Sequence, residues 1–422
     1  AVAALATPSE AFRPAPRAAR ARPVAYPRAR TVAAATPDVD VLVVGSGISG
    51  SSLGFHLATE QGVGKVLITE ARDDVGGNVI TKKNDEGFLW EEGPNTFQPT
   101  AQILRLAHDV GLGDALVLAD AKAPRLVFFE GKLYPLPLNN PLVEGALSFD
   151  LVSWPGKIRA ALGALGVPGV LRPWEGPGEE SIESFITRHL GREVFEKVID
   201  PFVSGVYAGD PSKLAMKFAL RKIWNLEARG ANAGLLSGGL ERFAELQAER
   251  KSDAFAAQWR EGAAMLKERV TGGALGSFKE GLQSLPKAVA ATLPPGSVRT
   301  GMKLRRVAKA TDGSGYVTTF ESSGGSGSPD SESVRCKAVA LTIPSHAYAD
   351  ILEGLDGAEE LAAALEKIRY PPVASVTLAY EEKHVRADVP TPLQGFGHLI
   401  PRSQGVRTLG TIWSSSLFPE RA

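Results

Sequence analysis

Two rhythms of apolar and polar residues alternate along the chain. Residues 38–44 hold a short apolar run ending in VLVV, which predicts a buried strand. Glycines follow, and then a helical pattern from Ile48 to Thr59. Lys65–Thr69 (KVLIT) predicts a second short strand, ending at Glu70. This strand, glycine loop, helix and strand span about thirty residues, the size of a mononucleotide-binding unit. From about 138 to 250 the pattern is largely helical with breaks at Pro and Gly, and Ser181–Leu190 and Glu193–Ile199 predict amphipathic helices. Residues 296–343 predict short strands with turn chemistry between them, including the flexible loop Ser322–Ser328 (SSGGSGS). Val373–Tyr380 (VASVTLAY) predicts one more strand, and no fixed-period repeat is present. The expected class is α/β, with a helical insertion inside a discontinuous nucleotide-binding domain.

Composition narrows what such a chain can do. Its 422 residues exceed one ordinary domain. The 47 basic residues balance 47 acidic ones, which argues against a nucleic-acid binder. A lone cysteine, Cys336, excludes an internal disulfide framework and any Cys-based metal cage, and is expected to be a small buried apolar residue. The six histidines form neither H-x-H nor H-E-x-x-H, and His346 is expected only to satisfy local hydrogen bonds. No apolar stretch reaches the roughly 18 residues of a membrane span. The charge parity conceals an asymmetry: residues 1–37 hold six arginines, no lysine and one acid, Glu10. An Arg-rich, acid-poor start without an apolar core predicts an organelle transit peptide, and its low serine content leaves plastid and mitochondrion both open.

The chemistry is concentrated where the first strand meets the first helix. Gly45-Ser46-Gly47-Ile48-Ser49-Gly50 is G-x-G-x-x-G placed after a strand and before a helix. The first glycine allows a tight turn, the second lets the backbone approach a pyrophosphate, and the third lets the helix pack closely on the sheet. Glu70 lies twenty residues past the third glycine, where an acid accepts hydrogen bonds from an adenosine ribose and repels a 2′-phosphate. FAD and NAD share this fingerprint. The next segment separates them: a second glycine doublet in Asp73-Asp74-Val75-Gly76-Gly77-Asn78, then Gly87-Phe88-Leu89-Trp90-Glu91-Glu92-Gly93-Pro94-Asn95. A plain NAD dehydrogenase has no use for either.

This succession resembles the glutathione-reductase-type flavoproteins, in their amine-oxidase branch. Further strings narrow the resemblance to the protoporphyrinogen oxidases of plastid type. They are Ala123-Pro124-Arg125-Leu126-Val127, the stretch Asp200-Pro201-Phe202-Val203-Ser204-Gly205 through Gly209-Asp210-Pro211, and Gly276-Ser277-Phe278-Lys279-Glu280-Gly281-Leu282. Tyr370–Val373, Pro392–Gly397 and Leu409–Ser415 match successive pieces of the substrate domain. The resemblance implies an α/β fold with a discontinuous Rossmann-like FAD-binding domain, a mixed-sheet substrate domain and a helical, membrane-associated insertion. It implies oxidation of protoporphyrinogen IX to protoporphyrin IX in heme and chlorophyll biosynthesis, with FAD taking hydride and O₂ as final acceptor, and with no catalytic side chain and no metal. Peripheral membrane association is expected, with the apolar, Lys- and Arg-flanked residues 157–172 as an interfacial loop. A homodimer is one arrangement open to the chain.

The same resemblance assigns residues. Cofactor contacts fall on Gly45, Ser46, Gly47, Ser49, Gly50, Glu70, Ala71, Arg72, Gly76, Gly77, Asn78, Gly93, Pro94 and Asn95, with Val307 near the adenine and Thr342 opening the return to the dinucleotide fold. Substrate contacts fall on Arg125 as propionate anchor, on Gly205 for close backbone approach, and on Val373, Leu393 and Trp413 lining an apolar slot. Val373 and Trp413 match the family in type rather than identity. The implied division is an address at 1–37, FAD-binding parts at 38–122 and 276–344, and substrate-domain parts at 123–138 and 345–422, with a helical insertion at 139–250 and a variable linker at 251–275. Family members continue past the position of Ala422 into a segment that closes over FAD, so the expectation at this stage is an incomplete flavoenzyme. A different flavin oxidase, such as an amine oxidase or desaturase, and an inactive tetrapyrrole-binding fragment are the alternatives.

Overall fold

The computed structural model describes residues 38–137, 148–230, 233–258, 266–267, 270, 274–322, 331–353, 355–385 and 393–421. The expected transit segment and most of the Ser322–Ser328 loop lie outside the described residues.

Strand β1 (Val39–Val44) runs between two parallel neighbours, β2 (Val66–Thr69) and β12 (Ser331–Leu341). A strand flanked on both sides and covered on both faces reads as a continuous apolar run, and Leu42, Val43 and Val44 are buried. β9 (Val298–Arg299) extends the parallel part beside β2, while β10 (Met302–Lys309) and β11 (Tyr316–Ser322) form an antiparallel meander with β12. The sheet order is β10-β11-β12-β1-β2-β9, so one layer is built from residues near 40 and residues near 300.

Helix α1 (Ile48–Thr59) has the predicted bounds and packs one face of this sheet with α2 (Ala101–Asp109) and a helix at Ser284–Thr292. Their shared core joins Val43, Phe55, Ile68, Leu104, Phe278 and Leu285. A Cβ on Gly54 would stand 2.4 Å from Ile68 Cδ1, so α1 can lie against β2 only with glycine there. The opposite face is covered by a second core that includes Leu42, Leu304, Val307, Phe320, Cys336 and Ile351.

A second, mixed sheet has the order β14-β13-β6-β7. Here β6 (Arg125–Phe129) and β7 (Lys132–Pro135) form a hairpin through Glu130 and Gly131, both with positive φ. β13 (Gly397–Leu399) runs parallel to β6 and antiparallel to β14 (Gly410–Ile412). Two short pairs complete the strands: β3 (Thr81–Lys83) with β4 (Leu89–Glu91), and β5 (Leu116–Leu118) with β8 (Gly276–Phe278).

Between β7 and β8 lies the helical region: α3 (Trp154–Ala164), α4 (Ile182–Leu190), α5 (Asp200–Tyr207), α6 (Arg221–Arg229) and α7 (Leu235–Arg250). Ser181 caps α4 by accepting the Ser184 N–H at 3.1 Å. The predicted helix at 193–199 takes a different form, a single turn at Arg192–Val194 followed by wider i→i+5 turns over Phe195–Ile199 that run directly into α5. Pro201 sits just beyond and has no N–H to continue the regular ladder, which is where such widening occurs.

Two expectations change. Residues 157–172 are not one interfacial loop, because α3 takes the first part and turns at Leu165. The strand predicted at Val373–Tyr380 does not form, and residues 371–380 have no regular secondary structure and belong to no sheet. Val373 is 66 % and Val376 80 % exposed. A strand needs a neighbour to take its N–H and C=O groups, and none of the described residues lies in register beside this one.

The helical region is locked by a buried charge cluster. Arg188 grips Glu180 (Nη2–Oε2 2.7 Å) and Glu227 (Nη1–Oε1 2.7 Å) in two forked contacts, and His189 Nε2 lies 3.5 Å from Glu227. Burial pushes the Glu227 carboxyl up, but the neighbouring His189 and Arg188 outweigh it and hold the group down at about 2, below its ordinary 4.5. A depressed carboxyl contributes stability above its unfolded value and loses that contribution as pH falls through its folded one. Glu227→Gln should therefore lower the melting temperature at neutral pH, and the gap should close between about pH 4.5 and pH 2, as followed by circular dichroism. A gap unchanged at pH 2 would contradict this account.

Candidate functional site

The glycine loop forms where β1 ends. Gly45 has φ +100°, and a Cβ on Gly50 would fall 1.9 Å from the Gly45 carbonyl oxygen. The start of α1 thus lies in direct backbone contact with the turn that precedes it. Thr342, at the end of β12, donates its hydroxyl to the Val44 carbonyl at 2.8 Å and approaches Gly45 O at 3.2 Å. It closes the loop from the returning segment. Gly47 stands at the N-cap of α1 with no side-chain cap, which leaves the helix N–H groups directed outward, as a pyrophosphate requires.

Glu70 is only 7 % exposed. Its Oε2 accepts the Ser46 N–H at 3.0 Å and the Ser46 hydroxyl at 2.7 Å, while Oε1 accepts the Arg72 N–H at 3.1 Å. The acid predicted at the strand end therefore faces the glycine loop and braces it. Ala71 and Ser49 lie exposed beside it. The doublet closes from the other side: Gly76 N–H donates to Ser46 O at 3.1 Å, and Gly77 backs onto Gly47, where a Cβ would come within 3.0 Å of the Gly47 Cα. Gly76 and Gly77 both have positive φ. Arg72 also donates to the Gly77 carbonyl. Gly93, in the E-G-P-N turn, crosses Asn78 so tightly that a Cβ would meet Asn78 O at 1.9 Å. Pro94 and Asn95 continue this turn, and Val307 is packed in the core of the sheet. Three glycine contacts thus surround one cradle in which backbone, rather than side chain, forms the wall.

Sequence patterns missed the residues that hold this cradle to the rest of the chain. Gln283, buried, accepts the Thr81 N–H and donates to Asp74 and to the Val75 carbonyl, the last at 2.8 Å. Glu91, also buried, accepts from Thr81 Oγ1 (2.6 Å), Leu282 N (2.9 Å) and Arg421 Nη2 (2.7 Å). Arg421 reaches Ser277 Oγ as well, at 2.9 Å. Apart from the local Thr81–Glu91 bond, these pairs are 144 to 330 residues apart, and nothing local announces them.

On the substrate side, Arg125 opens β6 beside Gly397 and lies over the Phe396 ring, 5.4 Å from its centre. Trp413 follows β14, edge-on to His398, and its Cζ3 would stand 3.3 Å from a Cβ on Gly395. Leu393 is half-buried just before that glycine. Arg125 and Trp413 therefore flank β13 from its two edges, whereas Val373 stands exposed on the unpaired segment. Gly205 on α5 has a packing role: a Cβ there would reach 2.5 Å from Leu399 Cδ2, so the helix can lie on β13 only without one. The surrounding signature is held by Arg402, which bonds Asp200 through Nε (2.6 Å) and its own N–H (3.1 Å) and reaches Asp210 at 3.3 Å. The Ser212 hydroxyl, with Lys213 and Arg402 nearby, holds the Asp210 carboxyl down at about 2. Cys336 is buried in the core, and burial pushes its thiol up to about 11, which keeps it protonated. His346 stacks edge-on against Tyr370. No cluster of metal-binding side chains occurs among the described residues.

Residues 48–422 match the family of flavin containing amine oxidoreductases. The chain belongs to this family. It is 46 % identical over 388 residues to the chloroplastic protoporphyrinogen oxidase of Oryza sativa subsp. japonica, covering 91 % of this chain and 67 % of that one. It is 45 % identical over 392 residues to the chloroplastic protoporphyrinogen oxidase 1 of Arabidopsis thaliana, covering 92 % and 68 %. The chain spans about two thirds of the length of these relatives. A crystal structure of a protein from Exiguobacterium sp. 255-15 superposes with a TM-score of 0.63 at 20 % identity, over 92 % of this chain and 75 % of that one, and shows the same fold.

The cofactor of this flavoprotein family is FAD, and the residues present fit it. The wall of glycines at 45, 47, 50, 76, 77 and 93 leaves backbone N–H groups and no side chains where a pyrophosphate approaches. Gly50→Ala should abolish flavin retention, because the added methyl overlaps the Gly45 carbonyl; flavin absorbance of the purified protein reads this directly. Arg421→Met should destabilise the fold by about 3 kcal/mol, because it leaves Glu91 buried without its charge partner. Chemical unfolding checks the value, and a loss below about 1 kcal/mol would show that the Thr81 and Leu282 donors suffice alone.

Proposed function

We propose that this chain is the cofactor-binding and substrate-binding body of a plastid protoporphyrinogen oxidase, acting on protoporphyrinogen IX. The observation that carries this reading is the coincidence of two things: 46 % identity to a chloroplastic protoporphyrinogen oxidase over 91 % of the chain, and the placement of Arg125 and Trp413 on or next to the two strands that flank β13. Bound FAD supplies the hydride acceptor and returns the electrons to O₂ as hydrogen peroxide. The chain's own task is to hold a large apolar disc with two propionates in a fixed pose. Arg125 provides a planar, permanently charged fork for one carboxylate. Trp413, Leu393 and Phe396 provide apolar surface beside it. The buried, protonated Cys336 takes no part.

The reading extends to the membrane. Trp154, Ile158 and Leu165 on and after α3, with Leu240 and Phe243 on α7, are exposed apolar side chains, and Lys157 stands 4.7 Å from the Trp154 ring centre. Apolar surface flanked by lysine suits an anionic lipid interface and supports peripheral attachment in the plastid. No helix among the described residues is long and apolar enough to cross a bilayer.

The purified protein, loaded with FAD, should convert protoporphyrinogen IX to fluorescent protoporphyrin IX with uptake of O₂. Flavin retention without any turnover would reduce the reading to binding alone. Arg125→Ala should raise KM at least tenfold, on the order of 1.4 kcal/mol, with a smaller change in kcat. The protein should also sediment with anionic vesicles more strongly at low salt than at high salt. Failure to sediment at any salt would remove the membrane assignment, and sedimentation velocity of the same sample tests a homodimer.

A further inference from the structure

Beside the start of β6 lies a cavity of about 410 Å³, walled by Lys122, Pro124, Arg125, Leu136 and Phe149 among others. Among the described residues its lining includes two charged side chains, Lys122 and Arg125, both cationic, and no carboxylate. The rest is proline, alanine, leucine, phenylalanine and one serine, Ser148. A pocket with apolar walls and two positive charges suits an apolar ligand edge that bears two negative charges.

The cavity adjoins the surface described above. Pro124 lines it, and the Pro124 carbonyl comes within 2.8 Å of a Cβ placed on Gly395, the same position that Trp413 Cζ3 approaches at 3.3 Å. The tryptophan and the Pro124 carbonyl, next to Arg125 in the chain, therefore converge on one point at Gly395. Lys122 is held at this rim by its main chain. Its N–H donates to Asp120 Oδ1 at 2.9 Å, and the Ala123 N–H closes the turn on Asp120 O at 3.0 Å. Asp120 is thereby occupied with backbone and does not line the cavity. The Lys122 ammonium makes no ion pair with a described residue.

We propose that Lys122 is the second carboxylate anchor of the substrate site, taking one propionate while Arg125 takes the other. This rests on the reading of the chain as a protoporphyrinogen oxidase. A disc with two propionates on one edge presents two carboxylates too far apart for one guanidinium fork. Leaving either unpaired against proline and phenylalanine carries a desolvation penalty. A lysine three residues before the arginine supplies the second charge on the same rim, as a point charge on a flexible stem that needs no fixed fork geometry.

The test uses the FAD-loaded protein with protoporphyrin IX, which keeps both carboxylates, and with its dimethyl ester, which has neither, followed by porphyrin fluorescence. Lys122→Met should weaken binding of the diacid about tenfold and Lys122→Arg by no more than about twofold. Binding of the dimethyl ester should be the same in wild type and Lys122→Met. Flavin content and circular dichroism establish that each variant is folded, and Lys122→Gln serves in place of the methionine variant if that one is not. Diacid binding to a folded Lys122→Met or Lys122→Gln protein at wild-type strength would overturn the proposal while leaving the oxidase reading intact. Absence of porphyrin binding to the wild-type protein would overturn both.

Discussion

Main chain passes main chain at van der Waals limits in this protein, and the arrangement of the cofactor cradle depends on that closeness. At Gly50 a single methyl would overlap the Gly45 carbonyl, and at Gly93 it would overlap the Asn78 carbonyl. Between them, Gly47 and Gly77 lie back to back. Such contacts bring N–H dipoles near enough to an anion to replace its hydration, and they exclude side chains from the wall. They also set the position of α1 on the sheet, since Gly54 repeats the demand one turn later against Ile68. The Thr342 hydroxyl and the Glu70 carboxylate then brace the loop from neighbouring strands.

Once the cradle is set, the remaining problem is registry between parts of the chain that are remote in sequence. Two arginines solve it. Arg402 clamps Asp200 and Asp210 and so ties the helical region to the β14-β13-β6-β7 sheet, while Arg421 reaches Glu91 and Ser277 and ties the residues after β14 to β4 and β8. Buried or half-buried ion pairs of this kind add little net stability relative to apolar packing, but a mispaired alternative would leave a charge uncompensated. Their contribution lies in excluding other registers.

What was legible in the sequence follows from this division. The glycine loop, α1 with its predicted bounds, β1, β2 and the meander at 298–341 were readable, because local spacing and apolar runs carry them. Glu70 was placed correctly at the strand end, but its contact with Ser46 was not foreseen, since a hydrogen bond to a loop 24 residues away has no periodic signal. Gln283, Arg402 and Arg421 were invisible for the same reason at greater range. Gly205 looked like a backbone opening, and its tight contact with Leu399 emerges only when α5 is seen lying on β13. The VASVTLAY segment has strand composition, yet composition cannot state whether a neighbour is present, and among the described residues none is.

The flavin cradle and the β6 cavity differ in a way that, under the proposed function, gives a nearly featureless disc one orientation. Around the flavin cradle the wall is backbone, and the charged groups, Glu70 and Glu91, are turned inward onto N–H and O–H donors. They stiffen the cradle. Around the β6 cavity the opposite holds: among the described residues the lining is cationic and contains no acid, and the backbone crossing at Gly395 brings a tryptophan alongside. A ligand with apolar faces and a charged edge has one arrangement that pairs its charges and keeps its rings out of water, with the edge toward Arg125. Under the proposed function, orientation comes from charge on the β6 rim, reactivity belongs to the flavin, and no acid–base side chain has to be shared between them.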